Sequence, residues 1–144
     1  MTNLHNCISE FVYLCKYYGQ RFDLIQAGGG NISVKTDNFM IIKSSGISLS
    51  DVSCDSGYSV LLTTSVITNI TPSITPSMEW KMHTLFKKYT IHLHPIYNYP
   101  LENCLLINYK HPGDELYNEL LLKYKDEQFV FLQNHGIIVH SNEI

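Results

Sequence analysis

Between residues 5 and 18 the apolar side chains recur at helical spacing, with Ile8, Phe11, Val12, Cys15 and Tyr18 on one face. Gly19 is a natural stop. The period then falls to two. Ile32 and Val34 alternate with Ser33 and Lys35, Thr36-Asp37-Asn38 supplies a tight turn, and Phe39–Lys43 is the returning strand. Ser44-Ser45-Gly46 breaks that strand, and Tyr58–Leu62 predicts a third. The stretch 63–75, rich in Thr, Ser and Ile, reads as partly extended. Thr75-Pro76 has the form of an N-cap followed by proline at the first helical position, which predicts a helix through about Lys88. Tyr89–His94 is a short strand ended by Pro95. Pro112-Gly113 leads into a helix with Leu116, Leu120, Leu121 and Tyr124 on its inner face. Phe129–Leu132 and Ile137–His140 are strands separated by Asn134-His135-Gly136. There is no internal repeat, low-complexity tract or linker, so one α/β domain over residues 1–144 is expected.

Composition narrows the function classes. With 144 residues, 44% of them hydrophobic and 16% charged, the chain has the make-up of a globular protein able to bury a sizeable core. The formal net charge is −3 and the Lys and Arg residues are scattered, which argues against a nucleic-acid surface. No apolar run approaches the length of a membrane span. The start, MTNLHNCISE, has neither the basic nor the apolar stretch of a secretion signal. Cys7, Cys15, Cys54 and Cys104 show no CxxC spacing. A cytoplasmic protein with reduced, mostly buried thiols is the expectation.

The candidate chemistry centres on histidine. In Ile91-His92-Leu93-His94 the strand period puts both imidazoles on one face and both aliphatics on the other. Imidazole suits zinc and related divalent ions, whose catalytic sites use three protein ligands and keep a position open. Two histidines on a wet strand face are the alternative. His135, followed by Gly136, is a third candidate ligand, while His5, His83, His111 and His140 compete for that role. His83 falls one helical turn after Glu79 and is as well placed to support that carboxylate. Glu79 lies in the first turn of the expected helix, where the helix dipole favours a carboxylate, and reads either as a general acid/base or as a surface residue.

Ala27-Gly28-Gly29-Gly30-Asn31 invites a dinucleotide-binding reading, but that fingerprint needs a helix after it and here a strand follows. Adjacent glycines still present several backbone N–H groups to an anion, and Asn31 adds an amide donor. Ser44-Ser45-Gly46, beside Lys43, is a second such loop, and Ser77 at a helix start is a third anion-friendly place.

Taken in order, AGGGNISVK (27–35), IKSSG (42–46), PSMEW (76–80), HLHP (92–95) and LQNHGIIV (132–139) resemble the class II aldolase/adducin family. Fuculose- and rhamnulose-phosphate aldolases, a sugar-phosphate epimerase and the adducin head belong to that family. YKHPGDEL (109–116) is similar to a segment of a bacterial aldolase-like branch. The resemblance covers roughly residues 8–140, and ordered co-occurrence is far more specific than any one motif. It implies that His92, His94 and His135 hold one divalent metal ion per chain, zinc by preference, and that Glu79 is the catalytic acid/base. It further implies that Gly30, Asn31, Ser45, Gly46 and Ser77 contact a phosphate or other anion. The implied fold is three-layered α/β/α with a mostly antiparallel central sheet, in a C-terminally short version. The implied assembly is a homo-oligomer, a tetramer by preference, with active sites at subunit boundaries. The implied reaction is metal-dependent cleavage of a small sugar phosphate through a stabilised enediolate, with no nucleic-acid or membrane partner.

Some features depart from that pattern. Only thirteen positions separate Glu79 from His92, Met78 stands where sugar-phosphate aldolases commonly carry serine, and the chain ends nine residues after His135. Two alternatives therefore stay open. One is a non-catalytic binding domain of the adducin-head kind; the other is an epimerase or decarboxylase sharing the same metal chemistry.

Overall fold

The computed structural model describes residues 4–64, 66–71, 73–96 and 104–144. Residues 65 and 72 of the stretch expected to be partly extended, and the first three residues of the N-terminal segment, lie outside the described residues. Eight strands form one sheet: β1 (Asn31–Lys35), β2 (Phe39–Lys43), β3 (Tyr58–Thr63), β4 (Ile67–Asn69), β5 (Tyr89–Leu93), β6 (Leu105–Ile107), β7 (Phe129–Leu132) and β8 (Gly136–Ser141). Their spatial order is β4-β3-β2-β1-β5-β8-β7-β6. Every pairing is antiparallel except β6 with β7.

Helices cover both faces. The helix α1 (Leu4–Gly19) lies on one side and buries Cys7, Phe11, Leu14 and Cys15 against Ile32, Val34, Ile41, Val60, Ile91 and Leu93. On the other side, α3 (Asp114–Lys123) buries Leu116 and Leu120 against Ile107, Val130, Leu132 and Ile138. The short α2 (Trp80–His83) straddles that second face. Trp80 packs on Met40, Ile42 and Leu61, while Met82 joins the α3 core. The strand alternation thus separates two cores, as expected for a sheet between helical layers. Three layers with a mostly antiparallel sheet match the sequence expectation.

Three local readings need correction. The helix expected from Thr75-Pro76 to about Lys88 shrinks to Trp80–His83. Pro76 instead bridges to Ser44, and the Ser77 amide donates to the Lys43 carbonyl at 2.9 Å, so these residues extend the sheet edge before a helix can begin. After His83 the amides of Thr84, Leu85 and Phe86 bond three residues back, the tight form in which helices run out. Leu121, expected on the inner face of α3, is 53% exposed. The buried row is Leu116 and Leu120, continued by the partly buried Tyr124, and Leu121 is turned off it. Cys7 and Cys15 are buried, but Cys54 is exposed; none of the four thiols is in a disulfide.

Phe11 is wholly buried and meets Tyr58 edge to face, with ring centroids 5.9 Å apart. Truncating it leaves a large cavity beneath the central strands. Phe11→Ala should therefore cost about 3–5 kcal/mol of stability, read as a lowered midpoint in chemical denaturation.

Candidate metal centre and anion cleft

The site is built where β1, β5 and β8 meet. Asn31 on β1 pairs directly with His92 on β5, and His92 with Ile138 on β8. His94 follows the end of β5, its amide tied to the Leu24 carbonyl at 2.9 Å. His135 is the last residue of the tight connection between β7 and β8, in which Asn134 takes a positive φ of 55°. Asparagine tolerates that conformation better than most residues. Gly136 explains how His135 comes close. A Cβ there would fall 2.2 Å from the Leu93 carbonyl oxygen and 2.9 Å from the His94 ring, so only glycine lets β8 press against β5 at this point.

The strand period and the hairpin therefore deliver three imidazoles to one place. Ring centroids of His92, His94 and His135 lie 4.7–5.3 Å apart, and one nitrogen from each lies within 4.8 Å of the others. His92 is completely buried. Both its ring nitrogens, His94 Nε2 and His135 Nδ1 are buried without a hydrogen-bond partner. Glu79 faces the group from the N-cap position of α2, with Oε2 2.9 Å from His92 Nδ1 and Oε1 3.2 Å from His135 Nε2. Neither contact makes a hydrogen bond. Asn31 Nδ2 donates to Glu79 Oε2 at 3.0 Å.

These environments set the charges. Burial, reinforced by the neighbouring imidazoles and only partly opposed by Glu79, pulls His94 down to about 4. His135 is lowered too, by burial first and then by His92. Burial pushes the Glu79 carboxyl up, but His92, His135 and the Asn31 amide outweigh it and hold the group below the usual carboxylate range. His94 and His135, held below their ordinary range, and the buried His92 converge beside an ionised carboxylate, a donor set suited to a divalent cation. The residues fit the metal that the sequence implies.

The anion candidates line the same cleft, about 300 Å³ in volume, with His94 and His135 in its wall. Gly30, Asn31, Ser45, Gly46, Ser77 and Glu79 all face it. Gly30 has a φ of 71° and sits where a Cβ would strike Ile25 and the His92 carbonyl. Ser45 is placed by its amide, which donates to the Thr75 carbonyl at 2.9 Å. Ser77 Oγ accepts from the Glu79 amide at 3.3 Å and keeps its own hydrogen for another acceptor. Met78 is 64% exposed at the rim, so the missing serine hydroxyl is replaced by an apolar flank.

The remaining histidines go elsewhere. His140 is buried between Phe86 and Tyr124 and donates to the Glu127 carbonyl, and His111 lies in an exposed loop. His83 is fully buried and is linked to Glu79 by hydrogen bonds through Asn31. Glu79 itself does not enjoy a long helix dipole, because α2 is four residues long. Lys43 was visible in the sequence only as a neighbour of the serine loop. Its ammonium lies under that loop, donating to the carbonyls of Ser44 at 3.0 Å and Ile47 at 2.6 Å.

Comparison with known proteins agrees with this geometry. The sequence model of the Class II Aldolase and Adducin N-terminal domain matches residues 9–105, a span that includes Glu79, His92 and His94. No curated protein matches the sequence. Among solved structures, the N-terminal class II aldolase domain of a conserved protein from Thermoplasma acidophilum superposes with a TM-score of 0.78 at 22% identity. That alignment covers 99% of this chain and 87% of the other. YgbL from Klebsiella pneumoniae, described as a candidate aldolase/epimerase/decarboxylase, gives 0.79 at 18% identity over 99% and 81%. An L-fuculose 1-phosphate aldolase gives 0.75 at 21% identity over 100% and 78%. The structures show the same fold, and the sequence model takes in more than half of the chain; the protein belongs to the class II aldolase and adducin N-terminal domain family.

Proposed function

We propose that this chain is a metal-dependent carbon–carbon lyase that cleaves a small sugar phosphate. One observation carries the reading: the clustered imidazoles of His92, His94 and His135 and the buried Glu79 carboxylate adjoin a cleft that is also lined by the glycine loop at 28–30 and by Ser45, Gly46 and Ser77. A scaffold has no chemical use for that combination. His92, His94 and His135 would hold one divalent ion, zinc by preference because the donors are all imidazole. When bound, the ion supplies a Lewis acid that draws negative charge onto the carbonyl and adjacent hydroxyl oxygens of a ketose.

The chain's own residues do the rest. Oε2 of Glu79 is engaged by Asn31, which leaves Oε1, without a hydrogen bond, as the oxygen that takes and returns the proton. Gly30 and Gly46 contribute backbone N–H groups, and Ser45 and Ser77 contribute hydroxyls, to the distal phosphate. Their binding energy fixes the reacting carbon over Glu79. Epimerisation or decarboxylation would begin with the same contacts, and the resemblance to YgbL keeps that chemistry as the second reading.

A homo-oligomer, a tetramer by preference, is part of the proposal. Leu106, Phe131 and Ile137 share a row on the α1 face of the sheet, and Phe129 joins them through Val139. Leu106 is 52% and Phe129 38% exposed, an apolar strip that a second copy would cover. A cytoplasmic setting suits four unpaired thiols.

Elemental analysis of the purified protein should find about one divalent metal per chain, and His94→Ala should lose most of it, because two nitrogens compete poorly with water. Equal metal content in the two proteins would remove the centre of the reading. Glu79→Gln should keep the metal while turnover falls by about two to four orders of magnitude, measured as release of a ketose phosphate and solvent deuterium exchange into it. Unchanged exchange would assign the base elsewhere. Light scattering at micromolar concentration should give a multiple of the chain mass; an active monomer would contradict the oligomer alone.

A further inference from the structure

Beneath the cleft, on the α2 side of the sheet, a row of polar side chains, buried except at the partly buried Lys35, runs away from Glu79. Asn31, Ser33 and Lys35 alternate along β1, Thr90 faces Ser33 from β5, and His83 of α2 lies over them. Asn31 Nδ2 donates to Glu79 Oε2 at 3.0 Å, and Asn31 Oδ1 meets His83 Nε2. His83 Nδ1 lies 2.7 Å from Ser33 Oγ, and Lys35 Nζ reaches Ser33 Oγ at 3.2 Å and Thr90 Oγ1 at 2.8 Å.

Elementary hydrogen-bond chemistry gives this row a single direction. An ionised carboxylate only accepts, so the Asn31 amide must present its NH2 to Glu79 and its carbonyl oxygen to His83. That oxygen also only accepts, so His83 carries its proton on Nε2. His83 Nδ1 is then the acceptor, and the Ser33 hydroxyl must donate to it. Ser33 Oγ in turn accepts from Lys35. Thr90 accepts from Lys35 and donates to the Lys87 carbonyl at 3.0 Å, which closes the far end. Along the branch from Lys35 through Ser33, His83 and Asn31, each donor points towards Glu79. An imidazolium at His83 would orphan the Ser33 hydrogen, because Ser33 Oγ would then be receiving from both sides.

We propose that His83 is a positioning residue for the proposed reaction. As a neutral Nε2–H imidazole it locks the Asn31 carboxamide onto Oε2 of Glu79, so that only Oε1 faces substrate. The row is not a proton wire, since an amide in its middle does not pass protons along. Burial, then the charge of Lys35, holds His83 well below its ordinary range, in keeping with a neutral ring. The geometry reaches beyond the sequence reading that His83 supports the carboxylate, because the support is indirect and fixes which oxygen is free.

The kinetic consequence rests on the lyase reading; the tautomer does not. Nitrogen-15 NMR of the metal-loaded protein at neutral pH should show His83 neutral, with the proton on Nε2. An Nδ1–H tautomer or an imidazolium overturns the proposal whatever the protein catalyses. In the same spectra the Asn31 side-chain amide should be protected from solvent exchange, and His83→Leu should abolish that protection. Retained protection in His83→Leu would also overturn it. His83→Leu should lower kcat by about ten- to a hundredfold with metal content kept and KM little changed. His83→Gln, whose amide can still donate to Asn31, should restore kcat to within about threefold, and it serves as the folded comparison if the leucine variant is unstable. A role in packing alone predicts the reverse: a lowered melting temperature, wild-type kcat in His83→Leu and no rescue by glutamine. A wild-type protein inactive on every ketose phosphate would sink the lyase reading only, and the two NMR observations would still decide this one.

Discussion

The antiparallel register of β1 with β5, which sets Asn31 opposite His92, is the constraint on which the site depends. A slip of one residue would exchange the two faces of β5 and bury Ile91 and Leu93 under α2 while turning His92 toward α1. The register is held by the core on the α1 side, where Ile32, Val34, Ile91 and Leu93 are all buried. The apolar face thus fixes the polar one. The pairing of His92 with Ile138 extends the same register to β8, and the hairpin before β8 brings His135 in.

Much of this was legible because the relevant signals are local. The period-two alternation in 31–43 and 89–94 gave the central strands, and the HxH pair was visible as two imidazoles on one strand face. In the local pattern His135 was one candidate ligand among several, singled out only by the family resemblance; what makes it a neighbour of His94 is close approach of β8 to β5, which no local pattern encodes. Strand β6 was missed because three residues, Leu105–Ile107, carry no alternation and pair in parallel with β7, more than twenty positions later. The helix at 76 failed for a related reason. Pro76 satisfies a local rule for starting a helix, but the Ser44 bridge and the Ser77–Lys43 hydrogen bond win. Asn31 was read as an anion donor alone; that one of its amide hydrogens goes to Glu79 depends on a contact between distant segments that the sequence does not show.

The short α2 also matters for function. A full helix from residue 76 would carry Glu79 in its first turn, solvated and free to rotate. Ending the sheet-edge segment at Ser77 places Glu79 at the N-cap instead, where its amide is held by Ser77 and its side chain is drawn under the sheet to Asn31. Trp80 and Met82 then anchor the helix on both halves of the lower face, which leaves His83 between them over the polar row. Precise placement of a proton-transfer group comes from such surrounding contacts rather than from the group itself.

The distribution of unpaired polar atoms ties these observations together. Among the described residues, seven buried side-chain nitrogen or oxygen atoms lack a partner, and five of them belong to Glu79, His92, His94 and His135. Each such atom costs about 1–3 kcal/mol in desolvation that no internal hydrogen bond returns. A few ångströms away, Asn31, His83, Ser33, Lys35 and Thr90 are linked by hydrogen bonds. Poor packing does not produce that contrast, because it would scatter the orphans. The fold satisfies the groups that hold Glu79 in place and leaves without hydrogen bonds the polar atoms where the three imidazoles and Glu79 converge. A divalent cation would supply what those nitrogens lack, and because it would bind the folded chain and find no such cluster in the unfolded one, its binding would also stabilise the fold that assembles the site.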